Sequence, residues 1–484
     1  MLADFLRLKR GLTGTKIVCA EGDCGACTVL RSFSISKTDG PYLPVNACIL
    51  TVAQLDGSSL VTVDALSMPS ETQSAELTPI QSAMRTCHGS QCGFCTPGFV
   101  MALTGLVEEK ISVAVGSRTL LTSREAKNAL TGNLCRCTGY QAIIDAAVAI
   151  PLEKCKSMKA RFMTAEQSRD LKKARREPMH LKSDGFEFFA PTSIKDACAY
   201  LAKNRQTRIL AAATDLGVFH NKWKGRLTQV LSLHLVPELY NLTSVKGRIE
   251  VGARVTLADL RTFLKTKVEP GLSSAKEFAH FLDIFASPQI KNVATLIGNL
   301  ANASPIADTP PFLLVTDSIV EVAGPRGNRS IPISGFFLGY RKTALKPGEI
   351  ITKVSFALPG KDEHFALRKV SERKDLDISA VNTAFRLKFT DSRRTRVKEA
   401  WLAIGGVAAT PLRLKKTEKL LVGKEIDAGN FSQTLASALE SLHSEIQPIG
   451  DVRGSSAYRR VLAENIFTHF LKSAAGETGA KAAL

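Results

Sequence analysis

Eight of the eleven cysteines fall into two sets of four, and nothing else in the sequence limits its possible folds as much. The first set is Cys19-x4-Cys24-x2-Cys27, with Cys48 arriving from farther along. This is the plant-type spacing for a [2Fe–2S] cluster. A tight loop must turn three sulfurs inward while its backbone N–H groups face the cluster sulfides, and Gly22 and Gly25 give the loop the necessary dihedral freedom. Structural zinc is the alternative, but it usually takes C-x2-C pairs separated by a hairpin, which this triplet is not.

The second set is Cys92-x2-Cys95 with Cys135-x-Cys137. Each pair lies in a turn between expected helices, and two helical hairpins that press their turns together would surround one metal centre with four thiolates. By spacing alone zinc competes closely here, since four closed cysteine ligands suit it. A first cluster in the neighbouring domain and the value of a second relay centre for one-electron chemistry tilt the choice towards iron–sulfur. Cys87, Cys155 and Cys198 are read as packing residues or inert thiols. A chain of this size without a secretory leader is a poor disulfide candidate, so clustered thiols point to metal or redox work.

At ~150 residues per domain, 484 residues suggest about three domains. The first 75 or so residues read as a small mixed domain. Asp4 to Arg10 has helical spacing, with Phe5 and Leu8 on one side and Gly11 as a stop, and residues 28–35 and 60–63 alternate as strands. Residues 76–152 read as helical. Pro97 follows Thr96 at a helix start, Met101, Leu103, Leu106 and Val107 form an apolar face, Thr122 and Glu125 make a capping box, Gly132 ends that helix, and a last helical stretch runs from Tyr140 to Ile150. Residues 153–182 crowd ten Lys and Arg side chains among few apolar anchors, which predicts a self-repelling linker. From Phe186 strands and helices alternate, and after residue 361 a further unit carries a strand over 384–389 and a helix-rich end.

Lys and Arg total 64 against 45 acidic residues, a net charge of +19. Such a balance fits nucleic acid, anionic lipid, an acidic partner or simply a solvated basic surface. Two Trp and six Tyr are too few to build stacking platforms for single strands, so neither nucleic acid nor membrane is expected as a partner. No apolar run approaches the ~18 residues of a membrane span, and the opening residues lack the basic-then-apolar pattern of a signal peptide. The expected location is cytoplasmic.

Three motifs carry a family resemblance: C-A-E-G-D-C-G-A-C-T-V over 19–29, Q-C-G-F-C-T-P-G over 91–98 and G-N-L-C-R-C-T-G-Y over 132–140. With later segments at 336–343, 405–411 and 451–459, the chain resembles the small, iron–sulfur and FAD-bearing subunits of bacterial xanthine dehydrogenases, in the molybdenum hydroxylase family. The resemblance implies a multidomain α+β fold: a ferredoxin-like β-grasp domain (1–75), a helical [2Fe–2S] bundle (76–152), a basic linker (153–182), a two-lobed α/β FAD-binding domain (183–361) and an α/β C-terminal flavoprotein domain (362–475). In that family an earlier segment forms an opening β-hairpin, so the first sheet here is expected to be reduced or its start truncated.

The resemblance also supplies the flavin site, since no G-x-G-x-x-G follows any expected strand. It places FAD at Ile209, Leu210, Ala211, Ala212, Ala213, Thr214, Asp215 and Leu216, and at Phe285, Thr295, Leu296, Ile297, Gly298, Asn299, Asp308, Ile351 and Lys369. Ala211 to Ala213 stand where relatives carry glycines, and Ile297 stands in a usual Gly-Gly-Asn. Asp215 and Asp308 are expected to orient the flavin. The implied function is that of a xanthine dehydrogenase. A molybdenum cofactor on a large partner subunit oxidises hypoxanthine or xanthine in purine catabolism, and electrons pass through two [2Fe–2S] clusters to FAD and then NAD+. No catalytic residue for hydroxylation is expected on this chain, and a higher heteromer is. Two alternatives remain: a related hydroxylase of aldehydes or other heterocycles, and a zinc-bearing nucleic-acid-binding protein.

Overall fold

A computed structural model describes residues 1–35, 39–67, 76–113, 120–222, 225–391, 394–426 and 431–476, so the expected boundary at residue 75 lies outside the described residues. The chain divides into two compact units, Met1–Glu238 with Ala286–Ala294, and Leu239–Phe285 with Thr295–Leu484. The stretch 183–361, expected as one flavin domain, is therefore shared between both units.

The first unit opens with a short helix, Leu2–Asp4, that widens into a π-turn at Phe5–Lys9 and stops before Gly11, whose φ is +67°. The wider turn changes which side chains face inward. Leu2, Ala3 and Leu6 are buried, whereas Phe5 and Leu8, which the helical spacing puts on one side, are exposed. Three antiparallel strands follow in the order Tyr42–Asn46, Thr28–Ser32, Ser59–Val61, shorter than the alternation suggested, with Thr28 opposite Asn46 and Leu30 opposite Pro44.

Helices Pro79–Thr86, Thr96–Val113, Ser123–Ala129 and Gln141–Val148 form the second part. The capping box at Thr122 and Glu125 is present, and Thr78 with Gln81 makes another. The expected face of Met101, Leu103, Leu106 and Val107 packs with Phe99, Ile143 and Ile144 into one core.

The basic stretch 153–182 is not an extended linker. It folds into helices Met158–Phe162 and Ala165–Ala174 and a strand, Met179–Ser183. Its charges find partners: Arg175 Nε donates to the Gly57 carbonyl (2.8 Å), Arg161 to that of Leu66 (3.1 Å), and Lys159 lies 3.5 Å from the Asp39 carboxylate. Ser168 also donates to Asp39, and the Met158 N–H to Glu108. Local capping by Ser157 and Thr164 and these distant acceptors outweigh the repulsion that composition predicts. A mixed four-stranded sheet ends the unit, ordered 179–183, 186–190, 229–232, 208–210, with its last three strands parallel.

The second unit holds a five-stranded antiparallel sheet, ordered 327–332, 319–324, 350–357, 248–252, 242–245. A four-stranded sheet follows, ordered 363–370, 381–389, 397–405, 412–413. Helices Lys415–Leu421, Phe431–Glu445 and Ser456–Ala474 cover this second sheet, and Phe385, Leu402, Leu442 and Phe467 are fully buried between the layers.

His364 enters that layer from strand Glu363–Val370, its ring 5.0 Å from that of Phe470. Burial, reinforced by Arg394 and Arg368, pushes the imidazole down to about 4. Between that value and the ordinary ~6.5 the unfolded chain binds more protons, so stability is complete above the window and is lost as pH falls through it. Replacing His364 with Phe should remove about 2 kcal/mol of this acid-side loss. Parallel declines in melting temperature from pH 6.5 to 4 in both proteins would refute the assignment.

Candidate metal centres and flavin loops

Cys19, Cys24 and Cys27 lie on a loop that leaves the N-terminal helix and enters the Thr28–Ser32 strand, and Cys48 joins them from the turn after strand Tyr42–Asn46. Ala20, Gly22 and Gly25 all take left-handed φ values (+56°, +82° and +68°) to turn it. Cys24, Cys27 and Cys48 are buried and Cys19 is half-buried. Backbone N–H groups already serve the sulfurs: Cys24 N–H donates to Cys19 Sγ and Cys48 N–H to Cys27 Sγ, both at 3.4 Å. The thiols also touch one another. Donation from Cys24 and Cys48 holds Cys19 below the usual thiol range, donation from Cys48 does the same for Cys27, and Cys24 and Cys48 are pushed up in return.

The second four meet where two turns face each other. Cys137 is pushed up by its contact with Cys92, and both lie exposed. Burial and donation to Cys135 push Cys95 up to about 12. Burial also raises Cys135, but donors led by the Thr138 hydroxyl (3.2 Å) outweigh it and leave that thiol low. The Tyr140 hydroxyl accepts from the Cys135 N–H at 3.0 Å, and Tyr140 itself sits at φ +69°. Among the described residues no three His, Cys, Asp or Glu side chains form a shell around a single ion. The sulfurs of the first set touch in a chain, Cys24 to Cys19 to Cys48 to Cys27, and those of the second set meet in pairs. Four thiols with backbone and hydroxyl donors aimed at them are a fitting donor set for a [2Fe–2S] cluster at each place.

The two sets are joined directly. The carbonyl of Cys24 accepts from the N–H of Leu134, the residue before Cys135, at 3.0 Å. Asn133 Nδ2 donates to the Gly25 carbonyl (3.2 Å), and Gln289, fully buried, donates to Asn133 Oδ1 (2.8 Å). On its other side the first set meets the helix that follows residues 209–216, and Ala212 of that segment shares a core cluster with Cys27, Cys48 and Ile49. The segment runs from strand Arg208–Leu210 through a turn with Ala213 at φ +66° into helix Leu216–Lys222. From that helix Asn221 Nδ2 donates to the carbonyls of Ala20 (2.9 Å) and Cys48 (2.8 Å). A Cβ on Gly217 would collide with the Ile49 carbonyl, so the two segments touch backbone to backbone. Within this unit the order is second set, first set, expected flavin loop.

The other expected flavin residues lie in the second unit. Lys369 Nζ is buried between the Asp308 carboxylate (2.8 Å) and the Phe285 carbonyl (3.0 Å), and Ser379 and Asn382 also donate to Asp308. Thr295 caps helix Leu296–Ala301, and Asn299 accepts from both the N–H and hydroxyl of Thr309. The Ile297 side chain turns into the core, 4% exposed, as does Ile351 in its strand.

Sequence reading missed Gln289 and Asn221. They lie 156 and 201 residues from the groups they hold, and no local pattern announces them.

Three family models match the chain: the [2Fe-2S] binding domain over 62–148, the FAD binding domain in molybdopterin dehydrogenase over 184–359, and the CO dehydrogenase flavoprotein C-terminal domain over 366–474. The first contains the second cysteine set, which counts against the zinc-bearing nucleic-acid reading. Iron–sulfur and FAD domains on one polypeptide define an iron–sulfur flavoprotein.

The chain is 29% identical over 97% of its length to xanthine dehydrogenase 1 of Arabidopsis thaliana and 31% identical over 88% to xanthine dehydrogenase of Oryza sativa. It spans only 38% and 35% of those relatives. Carbon monoxide dehydrogenase from Hydrogenophaga pseudoflava shares the fold over 61% of this chain and 98% of its own (TM-score 0.55, 23% identity). Quinoline 2-oxidoreductase from Pseudomonas putida does so over 61% of this chain at 26% identity, with a TM-score of 0.53 and 99% of its own length covered. The matched domains and the xanthine dehydrogenase relatives together indicate an iron–sulfur and FAD-bearing subunit of the molybdenum hydroxylase family.

Proposed function

We propose that this chain relays electrons in a xanthine dehydrogenase, from a partner chain whose molybdenum cofactor oxidises hypoxanthine or xanthine, to NAD+. The observation that carries the proposal is the order of contact in the first unit, from the Cys92–Cys137 set through Cys24 and Leu134 to the Cys19–Cys48 set and on to Asn221 and Gly217 of the helix that directly follows residues 209–216. Bound there, two iron–sulfur clusters carry electrons singly and FAD collects them in pairs for hydride transfer. Cys19, Cys24, Cys27 and Cys48 hold one cluster, and Cys92, Cys95, Cys135 and Cys137 the other. The exposure of Cys92 and Cys137 puts the second set where a partner could approach it. The flavin-binding residues carried over from the family are 209–216 in the first unit and Phe285, Thr295–Asn299, Asp308, Ile351 and Lys369 in the second.

Co-purification with the partner, followed by an assay of xanthine-dependent NAD+ reduction, tests this reading. Cys135→Ser should lower NADH formation by more than about 100-fold, beyond the 10–100-fold typical of outer-shell changes, while substrate still reduces the molybdenum site. Unimpaired NADH formation would refute the assigned role. The likeness to carbon monoxide dehydrogenase and quinoline 2-oxidoreductase favours a second reading, the same relay serving a partner with another substrate, aldehydes and other heterocycles included. Failure with xanthine but turnover with one of these would select it.

A further inference from the structure

The cysteine geometry leaves one buried polar group unexplained. Asn46 ends the strand Tyr42–Asn46 opposite Thr28 and is 1% exposed. Its side chain lies against the Cys27 sulfur, and neither Nδ2 nor Oδ1 has another partner among the described residues. Its surroundings are closely determined. Ala47 N–H donates to the Cys27 carbonyl at 3.2 Å and Cys48 N–H to the Cys27 sulfur, so Asn46 is fastened two residues before one sulfur ligand and beside another. A buried amide with a single weak acceptor is a costly choice where leucine would fill the same space. A thiol sulfur accepts weakly. A thiolate or a bridging sulfide, carrying negative charge, accepts strongly.

We propose that Asn46 is a positioning residue for the first metal centre, donating its Nδ2–H to sulfur on the Cys27 side and thereby raising that centre's reduction potential. The inference rests on the assignment of an iron–sulfur cluster to Cys19, Cys24, Cys27 and Cys48. Adding one electron increases the negative charge on the sulfurs, so an N–H donor stabilises the reduced form more than the oxidised one.

The test uses the full complex, purified anaerobically, with iron and zinc content measured and each cluster's midpoint potential read by EPR-monitored titration. Asn46→Leu should keep its iron and lower one midpoint by about 59 mV, a tenfold shift for a one-electron couple, leaving the other midpoint unchanged. Asn46→Ser, which restores a donor, should recover part of the shift. If the leucine variant does not fold, Asn46→Ala removes the donor without adding bulk and is read in the same way. Full iron with both midpoints unmoved would overturn the role of Asn46. Stoichiometric zinc without iron in the unaltered protein would overturn the cluster assignment itself and the inference with it.

Discussion

Gly25→Val should strip the protein of iron and destabilise its first unit by about 4 kcal/mol or more, a size reached only by a few mechanisms. Two of them act together here. The residue sits at φ +68°, a region closed to β-branched side chains. A Cβ would also collide with the Gly132 carbonyl and lie 2.6 Å from Asn133 Nδ2. The obstruction cannot be relieved by swinging a flexible side chain, because Gly132 presents backbone. Gly98 closes the same place from another side, since its own Cβ would strike the Gly25 carbonyl. Either the first loop would withdraw, moving Cys24 and Cys27, or the turn bearing Cys135 would, and both break the Cys24–Leu134 hydrogen bond. Metal analysis and thermal unfolding check the prediction. A variant with full iron and an unchanged melting temperature would show that the loops are farther apart than described.

Lys369→Met is the second large effect, expected to cost about 3–5 kcal/mol because it leaves a buried carboxylate without its cation. The Lys369 side chain is 1% exposed and that of Asp308 9%. Once the lysine is gone, Asp308 retains the Ser379 hydroxyl at 2.5 Å and the Asn382 amide at 3.2 Å, both neutral donors. The double change Lys369→Met with Asp308→Asn should recover most of the loss, since replacing both members of a buried pair is often near neutral. Denaturant titration of the unaltered protein and these two variants distinguishes this coupling from a packing defect, which the double variant would not repair. FAD content measured on the same samples tests whether this cluster also serves the flavin.

Much of the metal-binding region was legible because its signals are local. Cys19, Cys24 and Cys27 share one turn, Thr122 and Glu125 one helix start, and spacing alone constrains both. The π-turn at Phe5–Lys9 was not legible, since an apolar pattern cannot report which hydrogen-bond period the backbone chooses. The stretch 153–182 misled because composition counts its positive charges but not their acceptors, Asp39 and the carbonyls of Gly57 and Leu66. The flavin residues needed the family resemblance: Ala213 in a left-handed turn and Thr295 as a helix cap have the chemistry of ordinary loops.

Residues 286–294 have a consequence for how such a chain could be divided. They belong to the first unit although the sequence on either side, ending at Phe285 and resuming at Thr295, belongs to the second. Within them Gln289 reaches Asn133 and Thr28, and Asn292 donates to the Pro44 carbonyl. A gene split after residue 238 would therefore not yield a self-sufficient iron–sulfur protein. The missing nonapeptide would be encoded with the flavin half, and the two products would have to reunite before the cysteine loops regained their fastening.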